Sequence, residues 1–337
     1  MSFQRTKLNG IFILDGHSTD LIYGPEERRA IAELVNIVAP PQTRESIREN
    51  PELLAEVDLV FAGWGAAVWD SELLSYAPHL KAVFHGAGSI KPFTTEAFWD
   101  RDIVITSAYA ANAVPVAEYT LATILLSLKQ FWRYSAEAKK GLSWGDHTRP
   151  MIGAFRSTVG FISCGVIARK ALELLKPFDL KRVIYCPFLS EQDAAEMNVE
   201  LVTLPEVFRR SHVVSVHTPL LPETKGLITG KLLSLMRRDA TFINTARGGV
   251  VRQPELIEVL RQRPDLTAVL DVTDPEPPQP DDPLLQLPNV VISPHIAGSM
   301  GEEIRRLGHH MVEELRCYLA GKPLRWQITH EASLKMA

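Results

Sequence analysis

Residues Thr158 to Ala171 read TVGFISCGVIARKA: an apolar, β-branched run, then small residues, then a stretch with helical periodicity. A strand that turns through small residues straight into a helix begins a parallel βαβ unit, and in such units the turn can hold the pyrophosphate of a dinucleotide at the helix N-terminus. The usual G-x-G-x-x-G spacing supplies a tight turn, close backbone approach to the phosphates, and close packing of helix on strand. Here the three places hold Ser163, Gly165 and Ala168. The middle glycine is kept and Ala is a tolerated third member, whereas Ser departs from the pattern. On its own the loop also reads as an ordinary strand–helix turn of any α/β sheet. The cofactor contacts it predicts are Ser163, Cys164, Gly165, Val166 and Ile167.

Working outward, the same alternation of short apolar runs and helical stretches continues in both directions. Downstream, strands are predicted at Val159–Ser163, Arg182–Cys186, His212–Val216, Thr241–Thr245, Thr267–Asp271 and Val290–Ser293. Six is the strand count of a full dinucleotide-binding sheet. Upstream, Ile11–Leu14, Asp58–Ala62, Lys81–Phe84 and Ile103–Thr106 make a second parallel set. Between the sets, Pro115–Gly141 has the apolar spacing of one long connecting helix, and Ser299–Ala320 reads as a final helix stopped by Gly321 and Pro323. The fold class is therefore α/β, with two doubly wound parallel-sheet domains. Neither a repeat nor a low-complexity tract is present, and the Pro-rich Asp274–Pro283 reads as a loop.

Composition narrows the function. The 337 residues are 46% hydrophobic and 23% charged, enough apolar material for two cores. With 36 Lys+Arg against 40 Asp+Glu, the net charge of -4 leaves no cationic surplus for a nucleic-acid backbone. The N-terminal apolar run, Ile11 to Leu14, is too short for a signal-peptide core, and Val114 to Leu128 falls short of the ~20 residues of a bilayer span. A soluble, cytoplasmic protein is expected. Cys164, Cys186 and Cys317 are odd in number and show no zinc-ligand spacing, so neither a disulfide framework nor a metal is predicted. His309, His310 and Cys317 read as a polar helix face.

Three further segments follow one another at strand ends: INTARGG (Ile243–Gly249), LDVTDPEP (Leu270–Pro277) and SPHIAG (Ser293–Gly298). Together with ANAVPVAEYTLATIL (Ala111–Leu125) and VHTPLLPETKGLI (Val216–Ile228), in this order, they resemble the D-isomer-specific 2-hydroxyacid dehydrogenases, which include phosphoglycerate, glyoxylate/hydroxypyruvate and D-lactate dehydrogenases. The resemblance runs from about residue 50 to about 325. It implies a Rossmann dinucleotide-binding domain over 109–298, a flavodoxin-like substrate domain made of 1–108 and 299–337, and an active site in the cleft between them.

The resemblance also implies a catalytic set of Arg247, Glu276 and His295, and the chemistry agrees. Reducing a 2-oxo acid leaves an alkoxide that needs a proton, which imidazole gives readily near neutral pH; His295 is the expected acid, and the base in reverse. A carboxylate on the imidazole holds its orientation and stabilises its protonated, donating form, the role expected of Glu276. A forked, permanent cation suits an anionic substrate with a developing oxyanion, the role expected of Arg247. Taken singly, these read as a surface salt bridge, a loop carboxylate and a turn histidine; their order on successive strand ends is what points to chemistry.

Other positions follow by the same resemblance. Gly86, Ala87 and Gly88 of FHGAGS would hold the substrate carboxylate as a backbone nest. Asp271 would face the nicotinamide ring and its carboxamide, Thr245, Ala246, His295 and Gly298 would also bind the cofactor, and Asn112 would be a further cofactor-side contact, with Glu118 and His217 structural. After FHGAGS the chain departs from the family, with Ser89-Ile90-Lys91-Pro92 in place of an acidic, Asn-containing stretch. His85 and Lys91 there read either as contacts to a polar or anionic distal group or as solvated loop residues.

NAD is the expected cofactor, with NADP left open. The acidic residue that would take the adenosine ribose, about 20 positions past the loop, is replaced by Cys186. A thiol accepts hydrogen bonds weakly, so weaker NAD binding and modest discrimination between NAD and NADP follow, unless neighbouring backbone holds the ribose. No arginine follows in CPFLSEQD to receive a 2′-phosphate. The function expected is hydride transfer between a nicotinamide cofactor and a small 2-hydroxy acid. A non-catalytic, corepressor-like docking protein of the same fold is the alternative, and the formate-type branch is disfavoured because Glu276 stands where that branch has Gln. Phe131, Trp132, Tyr134 and Trp144 beside the connector predict a homodimer.

Overall fold

In the computed structural model, residues 7–141 and 152–336 are described, so Trp144 lies outside the described residues. The chain divides into two compact units, Met1–Asn112 with Ser299–Ala337, and Ala113–Gly298. The crossings fall at 112 and 298, against 108 and 298 in the sequence reading, because a helix beginning at Tyr109 carries four residues of the first unit before its chain enters the second.

The first unit holds strands β1 (Asn9–Ile13), β2 (Asn36–Ile37), β3 (Leu59–Ala62), β4 (Ala82–His85) and β5 (Val104–Ser107) in the parallel order β2-β1-β3-β4-β5, the flavodoxin-like arrangement. Successive residues point to opposite faces, and both faces are covered. Ile11, Ile13, Val60 and Val83 enter one apolar cluster, while Phe12, Leu14, Phe61 and Phe84 enter the other with Leu307, Met311 and Leu315 of the helix Arg305–Leu319. That two-sided burial is why these strands read as unbroken apolar runs. The strand β2 escaped the reading because it is two residues long, with Asn36 exposed.

The second unit holds β6 (Thr158–Ile162), β7 (Lys181–Tyr185), β8 (Glu200–Leu201), β9 (Val213–Val216), β10 (Thr241–Asn244), β11 (Thr267–Leu270) and β12 (Val290–Ile292). Their order, β12-β11-β10-β9-β6-β7-β8, is a dinucleotide-binding sheet with one strand added at the far edge. The expected six strands are all present. The seventh, β8, is another two-residue edge without an apolar run, and it, rather than β9, is the third strand of the dinucleotide-binding order.

Two expectations about helices are corrected. The connector is not one helix over 115–141: a helix runs Tyr109–Leu128, the chain turns at Gln130 with φ 51°, and a second helix runs Phe131–Lys139. Pro115 lies inside the first helix rather than at its start; it lacks only its own N–H, and the turns before and after it carry the helix through. That helix is also, at 20 residues, long and apolar enough to cross a membrane by length and composition, contrary to the shorter span read from sequence. Its Ala111 lies in the apolar core of the first unit, and its Ala117, Ile124 and Leu128 in that of the second. The final helix starts later than Ser299, a 3-10 turn at Gly301–Ile304 preceding Arg305–Leu319, and it ends at Gly321, whose φ is 64°.

Candidate active site

Within the second unit, β10, β11 and β12 end side by side, and the three expected catalytic side chains come from the loops that follow them. Beyond β12 the chain turns sharply, with His295 in the left-handed region at φ 55°. Asp271, at the end of β11 and 2% exposed, organises this turn. Its Oδ1 accepts from the Ser293 hydroxyl at 2.6 Å and the Ile296 amide at 2.9 Å, its Oδ2 accepts from the Ala297 amide at 2.9 Å, and its carbonyl accepts from the His295 amide at 3.0 Å. A buried carboxylate bonded three times by one turn is a rigid anchor. The same carboxylate that is expected at the cofactor thus also builds the histidine turn. Tyr119 joins the same network, its hydroxyl 2.8 Å from the Ser293 hydroxyl. Nothing in the sequence marks Tyr119, because 174 positions separate the pair.

Glu276 sits on the loop after β11, and its Oε1 lies 2.5 Å from His295 Nδ1. Both side chains are solvent-accessible, at 49% for His295 and 39% for Glu276. The loop is pinned by its own contacts: the Asp274 amide donates to Gln253 Oε1 at 3.0 Å, and the Thr273 hydroxyl to the Pro275 carbonyl at 2.8 Å. It passes directly over Gly248, where a Cβ would lie 2.0 Å from the Thr273 carbonyl oxygen. Only glycine permits that approach, which brings the segments bearing Arg247 and Glu276 together. Asn244 braces Arg247 from below, its side-chain amide donating to the Arg247 carbonyl at 3.0 Å and its oxygen accepting from the Ala246 amide at 3.0 Å. The Arg247 guanidinium donates to the Ala246 carbonyl at 2.7 Å. Burial pushes its pKa down and the Glu276 charge opposes that shift, so the cation is drawn partly out of water next to a carboxylate.

The dinucleotide loop lies at the end of β6. Ser163 adopts φ 80°, the left-handed conformation for which the usual glycine is suited, and its amide donates to the Tyr185 carbonyl at 2.8 Å. Gly165 caps the helix Val166–Leu174 without any side-chain hydrogen bond, and a Cβ there would meet nothing within 4 Å. Ala168 is fully buried against the sheet. Just past the end of β10, two strands along the sheet from β6, the Thr245 hydroxyl is buried and has no hydrogen-bond partner. An uncapped helix start open to solvent and an orphaned hydroxyl at another strand end of the same sheet fit an anionic dinucleotide. Cys186 borders a cavity of about 370 Å³ beyond β7. The half-buried His217 stacks its ring on Phe161 at 5.4 Å, its Nε2 lies 2.9 Å from the Ser215 hydroxyl, and desolvation pushes its pKa down to about 4.

In the first unit, the FHGAGS loop follows β4. The Gly86 amide already donates to the Ala62 carbonyl at 2.8 Å, which removes it from the expected nest. The amides of Ala87 and Gly88 make no hydrogen bond among the described residues, and the Ser107 hydroxyl fixes their peptides by donating to both carbonyls, at 2.8 and 2.5 Å. His85 is neither solvated nor cationic. It is 2% exposed, packs on Phe93 at 4.6 Å, has an unpartnered Nδ1, and burial drives its pKa down to about 3. Lys91 is exposed and borders a separate cavity with Trp99 and His330. The side-chain oxygen of Asn112 accepts from the Ser299 amide at 2.9 Å. The described residues contain no cluster of three metal-ligating side chains.

Residues 121–297 match the D-isomer specific 2-hydroxyacid dehydrogenase family, NAD binding domain. The chain is 29% identical over 286 residues to a D-3-phosphoglycerate dehydrogenase of Methanocaldococcus jannaschii, covering 85% of this chain and 53% of that one. It thus spans about half the length of that relative. A glyoxylate reductase of Korarchaeum cryptofilum is 31% identical over 258 residues, covering 75% of this chain and 77% of the reductase. Among solved structures, a phosphoglycerate oxidoreductase from Rhizobium etli shares the fold with a TM-score of 0.80 at 22% identity, over 96% of this chain and 99% of that one. The chain belongs to the D-isomer-specific 2-hydroxyacid dehydrogenase family.

Proposed function

We propose that this chain is an NAD-dependent oxidoreductase that interconverts a small D-2-hydroxy acid and its 2-oxo acid, with His295 as general acid and base. The observation that carries the reading is the 2.5 Å contact of His295 Nδ1 with Glu276, on a turn locked by Asp271 and beside a half-buried Arg247. Nicotinamide, when bound, supplies or accepts the hydride. The protein does the rest. With Nδ1 facing the carboxylate, the transferable proton of His295 sits on Nε2, from which it passes to the oxygen of the reduced carbonyl. Glu276 stabilises the imidazolium that exists before this transfer. Arg247 holds the substrate and its developing oxyanion with forked donors that, partly withdrawn from water, act more strongly than they would in bulk solvent. The amides of Ala87 and Gly88 hold the substrate carboxylate. Gly165 and the first amides of its helix hold the pyrophosphate, and the orphaned Thr245 hydroxyl completes the cofactor contacts.

A carboxylate at position 276 supports the hydroxyacid branch over the formate type. The test is consumption of NADH in the presence of glyoxylate, hydroxypyruvate, pyruvate or phenylpyruvate. Turnover with at least one of them is expected, and a chain that consumed NADH with none, at any pH between 5 and 9, would sink the proposal. Such a reaction on dissolved small acids suits the cytoplasm. The homodimer remains part of the proposal because Phe131 is 45% exposed, although Trp132 packs within its own unit and donates to the Ser127 hydroxyl at 3.4 Å. Light scattering at micromolar concentration should give twice the chain mass of 37.6 kDa; a monomer would refute it.

A further inference from the structure

The open hollow of about 370 Å³ beyond β7 is lined by Cys186 together with Thr203 and Glu206 of the segment that starts the helix Leu204–Arg210. Glu206 is the one charged residue among those that line it. Its Oε2 accepts from the Thr203 amide at 2.9 Å and the Thr203 hydroxyl at 2.6 Å. These bonds fix the carboxylate in one place and hold its pKa below the usual range, so it is charged at neutral pH. Its Oε1 accepts no hydrogen bond among the described residues. The neighbouring cation, Arg210, is already committed to both oxygens of Glu200, at 2.9 and 2.6 Å.

We propose that Glu206 reads the adenosine ribose in place of the acidic residue missing at Cys186. This rests on the proposed binding of a nicotinamide dinucleotide. The free oxygen of Glu206 accepts a hydrogen bond from the 2′-hydroxyl, and its charge repels a 2′-phosphate that would meet no cation on the lining. The chain therefore prefers NADH to NADPH, instead of the weak discrimination that Cys186 alone implies.

The test is fluorescence titration of the full chain with NADH and with NADPH. Glu206→Gln suits it, because Gln at this helix position keeps the capping box while removing the charge. The wild type should bind NADH at least roughly tenfold more tightly than NADPH, the scale of one charge-assisted hydrogen bond. Glu206→Gln should weaken NADH and tighten NADPH, collapsing that ratio. A purely structural role would move both affinities together, and an unchanged ratio would overturn the inference while leaving the proposed function intact. The second variant is Cys186→Asp. Alone it should alter the ratio less than about threefold, and added to Glu206→Gln it should restore the preference for NADH. A strong gain from Cys186→Asp alone would show that Glu206 does not reach the ribose. If the wild type bound neither dinucleotide, the proposed function would fall, and this inference with it.

Discussion

Two loops at the ends of strands in one sheet are finished differently. Around His295, Asp271 accepts three hydrogen bonds from a single turn, Tyr119 extends the network, and Gly248 lets the Glu276 loop lie against the Arg247 loop. Around Gly165 the helix start has no side-chain cap and Ser163 holds a left-handed backbone without being glycine, and two strands along the sheet the Thr245 hydroxyl has no partner. The difference separates two tasks. A group that moves a proton must be fixed before substrate arrives. Groups that hold a ligand keep their hydrogen-bonding capacity open until it binds, and they tolerate local departures from the family pattern.

The comparison breaks first at Gly248. If the proton-transferring region is as tightly built as the contacts indicate, Gly248→Ala forces its Cβ into the Thr273 backbone and should cost about 3 kcal/mol or more of stability, read as a lower urea midpoint. A loss below about 1 kcal/mol would mean that the two loops have room to separate.

A smaller effect sharpens the description of the cofactor side, where the His217 amide donates to the Ile162 carbonyl just before the dinucleotide loop. Burial lowers the pKa of His217 from 6.5 to about 4. The unfolded chain therefore takes up a proton at a pH where the folded chain does not, so this residue's contribution to stability is complete above pH 6.5 and is lost as pH falls toward 4. His85, lowered to about 3, adds in the same direction. The slope per histidine is about 1.4 kcal/mol per pH unit. His217→Gln, measured by urea unfolding from pH 7 to 4.5, should show a flatter decline than the wild type; parallel declines would contradict the neutral state of His217 in the folded chain.

How much of this was legible in the sequence depends on what each residue answers to. Strands buried on both faces announced themselves as apolar runs, as Phe12 and Ile13 do by entering opposite cores. The edges β2 and β8 did not, because two half-solvated residues carry no pattern. Arg247, Glu276 and His295 were legible as an ordered set of motifs. Asp271 is legible as a strand-end acid, but its bonds to residues 293–297 are not, since they depend on the alignment of two strand ends. Gly86 looked free because its sequence is all small residues, yet the parallel neighbour β3 takes its amide. Glu206 was invisible as a candidate because its relation to Cys186 exists only in the hollow that both line.

The central claim is the proposed role of His295 as the proton-transferring group, with most of the cofactor contacts lying elsewhere. It is tested most directly by His295→Ala, assayed on the best 2-oxo acid alongside NADH titration of the same preparation. The account predicts a kcat lowered by roughly 10²–10⁴-fold, with NADH affinity within about twofold of wild type. Wild-type kcat in the variant would contradict it.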